Sequence, residues 1–301
     1  MTQHNNSTNK RTFRKLEDLN LIDNFLFQAV LSDEQEGEEF ARILLSTILG
    51  KHIRKVKIVP QKNILGLDTD KHGIRLDAYI EDVSDELDSN QADVELVRNL
   101  YDLEPNNSYE KKELPKRLRY YHGLIDIQLL SSGISYDKLP NMVIIVILPY
   151  DPFDKNRMIY TIRNHCEEEP SIPYDDGATK IFLYTKGTEG NPSQALKDML
   201  KYIEKSTDDN VTNQDIASIQ ELVNKVKHKK EVGINYMKSW EMEELARKQG
   251  YHSGFDDGTN QMQEKLNQLT LLLLKAGRNE DLAKAASDKA YQQKMFEEFN
   301  L

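Results

Sequence analysis

The spacing of apolar and polar positions changes several times along the chain, and each change predicts an element. Phe40, Ile43, Leu44, Thr47 and Ile48 recur every three or four residues, so residues 38–49 are expected to be a helix that Gly50 ends. Before it, residues 19–31 carry Leu21, Ile22, Phe25, Phe27 and Val30 and predict a short helix or an extended entry segment. Ile53, Val56 and Ile58 alternate with polar neighbours over 52–60, the pattern of a half-buried strand. Residues 142–148 are an unbroken, mostly β-branched apolar run, which predicts a strand covered on both faces; 180–185 reads as another strand. Beyond residue 190 the period is helical, over 195–206, 214–230 and 231–249. A Gly-containing stretch at 250–258 reads as a linker to short helices at 261–275, 279–286 and 287–299. Strands with helices on both sides predict an α/β core followed by a mostly helical C-terminal extension. The expected organisation is an extended or disordered N-terminus (1–18), a core (19–190), a helical extension (191–249) and a short helical tail (250–301) acting as an interaction module.

Two further short strands carry candidate chemistry, at 73–81 and 100–106. Residues two apart in a strand share a face. Arg75, Asp77 and Tyr79 therefore lie together, and so do Asp102 and Glu104, with Tyr101 and Leu103 opposite. Paired, the two strands bring Asp77, Asp102 and Glu104 to one side of a small sheet. Gathered carboxylates repel unless a positive group lies among them, and oxygen donors of this kind suit a hard cation such as Mg²⁺.

Those residues resemble the PD-(D/E)XK nuclease superfamily, which has an Asp on one strand and Glu-x-Lys, or Glu-x and another polar residue, on the next. Four blocks are similar, in order, to its recombination-promoting nuclease/transposase branch: Leu-Asp-Ala-Tyr-Ile-Glu-Asp (76–82), Tyr-Asp-Leu-Glu-Pro-Asn (101–106), Leu-Pro-Lys-Arg-Leu-Arg-Tyr-Tyr-His (114–122) and Ile-Leu-Pro-Tyr-Asp-Pro-Phe (147–153). The likeness spans about residues 19–230 and continues weakly to the end. It implies a restriction-endonuclease-like mixed sheet flanked by helices, and a Mg²⁺- or Mn²⁺-dependent endonuclease that hydrolyses DNA phosphodiesters. In that reading Asp77 and Glu104 hold the metal with the Pro105 carbonyl, and Glu39, on the first core helix, is a further ligand candidate. A Glu favoured by the helix dipole explains Glu39 equally well. Asn106 takes the place of the motif Lys and orients the attacking water, although an amide carries no charge. Lys112 or Lys116 could replace that Lys from a neighbouring position.

Lys112, Lys116, Arg117, Arg119 and Tyr120 cluster before an apolar helical run (Leu124, Ile125, Leu129) and are the candidate DNA-binding residues. A solvated basic turn, with the tyrosines packed on the sheet, is the alternative. The same two readings, nucleic-acid contact or a helix C-terminal charge complement, apply to the basic run at 225–230. Overall the chain is acidic, with a net charge of −10 over 301 residues, so a nonspecific nucleic-acid coat is disfavoured while one local basic face is not. No apolar run is long enough to cross a membrane, and residues 1–11 lack the apolar segment of a signal peptide. Cys166 is the only cysteine, which fits a reducing cytoplasm; with His165 it makes a poor zinc site. The acidic stretch at 82–99 lengthens a hairpin loop and lacks the alternating spacing of a Ca²⁺ loop. Expected partners are DNA and, through the helical C-terminal region, a second copy of the chain. A rival reading is a nuclease fold without catalysis that binds DNA or a protein; a third is a regulatory partner acting through residues 261–299.

Overall fold

The computed structural model describes residues 13–60, 63–64, 74–75, 78–83, 97–107, 109, 111–130 and 132–301. Its centre is a six-stranded mixed sheet. The strands are β1 (Val56–Pro60), β4 (Ala78–Val83), β5 (Val97–Pro105), β6 (Asn141–Leu148), β8 (Ala178–Tyr184) and β7 (Ile159–Ile162), in that spatial order. β2 (Asn63–Ile64) and β3 (Ile74–Arg75) form a separate antiparallel pair. β5, β6 and β8 run parallel, and the remaining neighbours are antiparallel. The chain is therefore α/β, as the alternation of strand and helix periods predicts. The edge strand β7 is absent from that prediction: Ile159, Tyr160, Thr161 and Ile162 are all half-buried or exposed, so no apolar run marks them.

β6 is covered on both faces. Its odd positions Ile145 and Ile147 join Tyr101, Leu103, Ile181 and Leu183 in one apolar layer. Its even positions Met142, Ile144, Val146 and Leu148 join Leu100 and Phe182 in the other. The first layer is closed by α1 (Asn24–Leu31), α2 (Gly37–Leu49), α4 (Gln194–Glu204) and α5 (Gln214–Lys227). The second is closed by α3 (Leu114–Leu129) through Leu114, Leu118, Leu124 and Ile125.

Local chemistry sets the helix ends. α2 has Glu38 and Glu39 in its first turn, where the dipole favours them, and stops at Gly50 in the left-handed region (φ 62°). Gly37 lets α1 and α2 meet: a Cβ there would lie 2.4 Å from the Leu31 carbonyl oxygen. Ser193 and Asn213 cap α4 and α5, accepting from the N–H of Leu196 (3.2 Å) and Ile216 (3.0 Å).

The chain divides into two compact units, Met1–Tyr236 and Met237–Leu301. α6 (Lys230–Lys275) runs unbroken through the stretch predicted to be a linker. Gly250, Gly254 and Gly258 each cost about 1 kcal/mol in a helix, but a helix already nucleated on either side gains one hydrogen bond per added residue. In the second unit α7 (Asn279–Ser287) and α8 (Lys289–Glu298) fold back on Leu269 and Leu273, enclosing Ala285, Met295 and Phe296. Arg278 ties them, reaching Asp281 and Glu298 at 2.5 Å each, and the Glu298 and Asp281 carboxylates hold its guanidinium above its ordinary pKa. Among the described residues no helix is long and apolar enough to cross a membrane.

Candidate functional site

β5 carries polar side chains into the interior at three successive positions on one face. Asp102 is 0% exposed, Glu104 6% and Asn106, just past the end of the strand, 6%; the β6 neighbours of Asp102 and Glu104 are Ile144 and Val146. Burying carboxylates in apolar surroundings is costly unless they are compensated, so such placement is rarely structural filler. The opposite face of β5, Tyr101 and Leu103, belongs to the apolar core. Glu104 and Asn106 stand at the C-terminal end of a parallel strand, the usual position for ligands in an open α/β sheet.

The backbone here sets the direction of the Pro105 carbonyl. The Asn106 N–H donates to the Ile147 carbonyl of β6 at 2.9 Å. The same peptide is trans, so the Pro105 carbonyl points the other way, off β6. Pro105 has no N–H, but its nitrogen faces away from β6, so the β6 ladder, which Asn106 continues, loses no donor there.

α3 lies over this face and brings the positive charge. Leu114 and Leu118 are fully buried beneath it. Arg117, between them on the helix surface, extends inward until Nη2 is 3.7 Å from Glu104 Oε2, and its guanidinium lies 5.8 Å from the Tyr121 ring. At that separation, near a protein surface, unlike charges attract by about 4 kcal/mol before desolvation offsets part of it. Arg117 is thus placed at Glu104, whereas its basic neighbours on α3 are exposed.

Lys112, Lys116, Arg119 and Tyr120 remain exposed and fall at spacings of four, three and one, along one side of α3 and the turn before it. Lys111 is not among them: it pairs with Asp154 and lies 5.5 Å from the Tyr109 ring, and the Asp154 carboxylate raises its pKa. A cleft of about 540 Å³ opens there, lined by Tyr109, Lys111, Lys112, Glu113, Pro152 and Asp154. Farther along α3, His122 and Asp126 face each other at 3.8 Å. Burial pushes the His122 pKa down and that of Asp126 up.

Nothing matches this chain among family models, curated proteins or solved structures.

Other expected site residues are placed differently. Glu39 is paired with Arg42 one turn on, at 2.6 Å, and that hydrogen bond lowers its pKa. The apolar side of α2 packs in the layer of Tyr101 and Leu103, across the sheet from Glu104, so Glu39 does not join the site. Within the basic run at 225–230, Lys227 donates to the carbonyls of Glu17 (2.9 Å) and Leu19 (2.7 Å), and Lys229 holds Asp33 at 2.6 Å. Asp77 and residues 84–96 lie outside the described residues. Among those described, no three His, Cys, Asp or Glu side chains are grouped to hold a metal, at His165 and Cys166 or elsewhere. The inward turn of Arg117 has a signature in the sequence. It occupies the same helical face as Leu114, Leu118, Tyr121, Leu124 and Ile125, an Arg set in an apolar stripe.

Proposed function

We propose that the chain is a divalent-cation-dependent endonuclease of the PD-(D/E)XK type, built on a restriction-endonuclease-like core and acting on DNA. The observation that carries this reading is the buried row Asp102, Glu104 and Asn106 at the C-terminal end of β5, beneath the basic start of α3. The buried Glu104 carboxylate and a backbone carbonyl turned off β6 are hard oxygen donors and suit Mg²⁺ or Mn²⁺. Glu104 and the Pro105 carbonyl would hold the ion, together with Asp77, which directly precedes β4 in the sequence. When bound, such an ion polarises the phosphoryl group and makes water a better nucleophile at neutral pH. The chain's own groups do the rest. Asn106 positions the water by hydrogen bonding, Lys112, Lys116 and Arg119 neutralise flanking phosphates, and Tyr120 packs beside them. In the reaction the water gives up one proton to solvent as its oxygen bonds to phosphorus, the ester bond to the sugar oxygen breaks, and that oxygen takes up a proton from solvent.

The test is plasmid nicking by the purified chain with Mg²⁺, Mn²⁺ or EDTA, alongside Asp77→Ala and Glu104→Ala. Metal-dependent nicking lost in both variants is expected. If no divalent ion supports cleavage of any DNA while salt-dependent DNA binding persists, the protein is a nuclease fold that binds without cutting. The uncharged Asn106 at the motif lysine position favours that second reading.

Self-association through α6 is part of the proposal. Tyr251, Phe255 and Met262 are 57, 65 and 49% exposed and continue the stripe of Leu266, Leu269 and Leu273 that α7 and α8 cover.

A further inference from the structure

We propose that Arg117 is the cationic group of this site, supplied by α3 in place of the lysine that the nuclease motif has at position 106. The inference rests on the nuclease reading and adds to it the residue that does the electrostatic work. Three observations carry it. Arg117 is the basic residue of its cluster that turns inward, while Lys112, Lys116 and Arg119 stay exposed. Its Nη2 lies 3.7 Å from Glu104 Oε2, on the β5 face that also carries Asn106, two residues from Glu104. Leu114 and Leu118, both fully buried, hold α3 against the sheet on either side of it, so the guanidinium is delivered by a rigid element.

The chemistry fits the substitution. Attack on a phosphodiester builds negative charge on the phosphoryl oxygens, and a fixed cation beside them lowers the barrier. Asn106 offers only hydrogen bonds, whereas a guanidinium is permanently charged and matches phosphate geometry. It stays protonated throughout, so it transfers no proton and acts on the charge alone.

A double-mutant cycle tests this. Arg117→Gln, Asn106→Lys and the combined variant are compared with wild type for nicking rate at fixed Mg²⁺ and for Mn²⁺ affinity by electron paramagnetic resonance, with thermal melts checking the fold. Arg117→Gln is expected to lose nicking by on the order of a hundredfold. Its Mn²⁺ affinity is expected to equal or exceed that of wild type, because a positive charge beside a ligand carboxylate has been removed. Asn106→Lys in that background is expected to restore most of the rate, and in wild type to add far less. Arg117→Lys, which keeps the charge, is expected to retain more activity than Arg117→Gln. The inference alone is overturned if wild type nicks DNA and Arg117→Gln nicks equally well. It is equally overturned if Arg117→Gln folds but loses Mn²⁺ affinity, since Arg117 then only holds Glu104 in place, or if Asn106→Lys fails to rescue it. Absence of both Mn²⁺ binding and nicking in wild type overturns the nuclease reading itself.

Discussion

Glu104 and Arg117 meet across the gap between β5 and α3, where either charge alone would be poorly solvated. Glu104→Gln keeps the size and a hydrogen-bonding group but removes the charge. Isothermal titration with Mn²⁺ is expected to show lost or strongly weakened binding, while stability falls by about 1–3 kcal/mol as Arg117 loses its anionic neighbour. His122 gives a second test at this scale, through pH. Burial holds its pKa below the ordinary 6.5, so the unfolded chain binds its proton first as pH falls. Its neutral form is stabilising above about pH 6.5, and that contribution is lost on acidification through the unfolded value towards the depressed folded one. Asp126 and Asp176 oppose the depression and Lys180 reinforces it. The melting temperature is expected to drop between pH 7.5 and 6, with a smaller drop in His122→Gln; equal drops in both would remove His122 as the cause.

The element that does most for the candidate site is α3. It begins with basic residues, against its own dipole, which costs a few tenths of a kcal/mol. The two sides of the helix then divide the work. Leu114, Leu118, Leu124 and Ile125 fix it to the sheet, and Lys112, Lys116, Arg119 and Tyr120 face outward. Leu118→Ala removes side-chain atoms from a fully buried position and is expected to destabilise the first unit by about 2–5 kcal/mol in urea unfolding. Lys116→Glu with Arg119→Glu should leave the fold intact, weaken DNA binding at all sequences, and flatten the plot of log K against log salt by about two phosphate contacts. An unchanged salt slope would place the DNA elsewhere. The basic run at 225–230 is expected to leave that slope untouched, because Lys227 and Lys229 are engaged with the N-terminal segment.

For the whole molecule, the unit Met237–Leu301 has its own small core, closed by Arg278 bridging α7 and α8. The exposed Tyr251, Phe255 and Met262 on α6 are an apolar face that a single copy leaves to solvent. Phe255→Glu with Met262→Glu is expected to shift the full chain from dimer to monomer in light scattering without loss of helicity. A monomeric wild type at high concentration would dispose of the second-copy reading.

Much of this protein is legible in one dimension. The burial of β6 on both faces follows from its β-branched run, α2 from its apolar spacing and closing Gly50, and the shared face of Asp102 and Glu104 from the period of a strand. These are local consequences of backbone geometry, so a few residues suffice to state them. Other features depend on what lies across the fold. Position along the chain does not say which face of the sheet a helix will cover, and that choice separates Glu39 from Glu104. Periodicity is weak in the half-exposed β7, and three glycines look like a linker until the helix around them is seen to propagate through. Arg117 combines both cases. Its phase on α3 turns it inward from the sequence alone, but only the packing of α3 on β5 puts Glu104 at the end of its reach, because a charge is compensated by what is near in space.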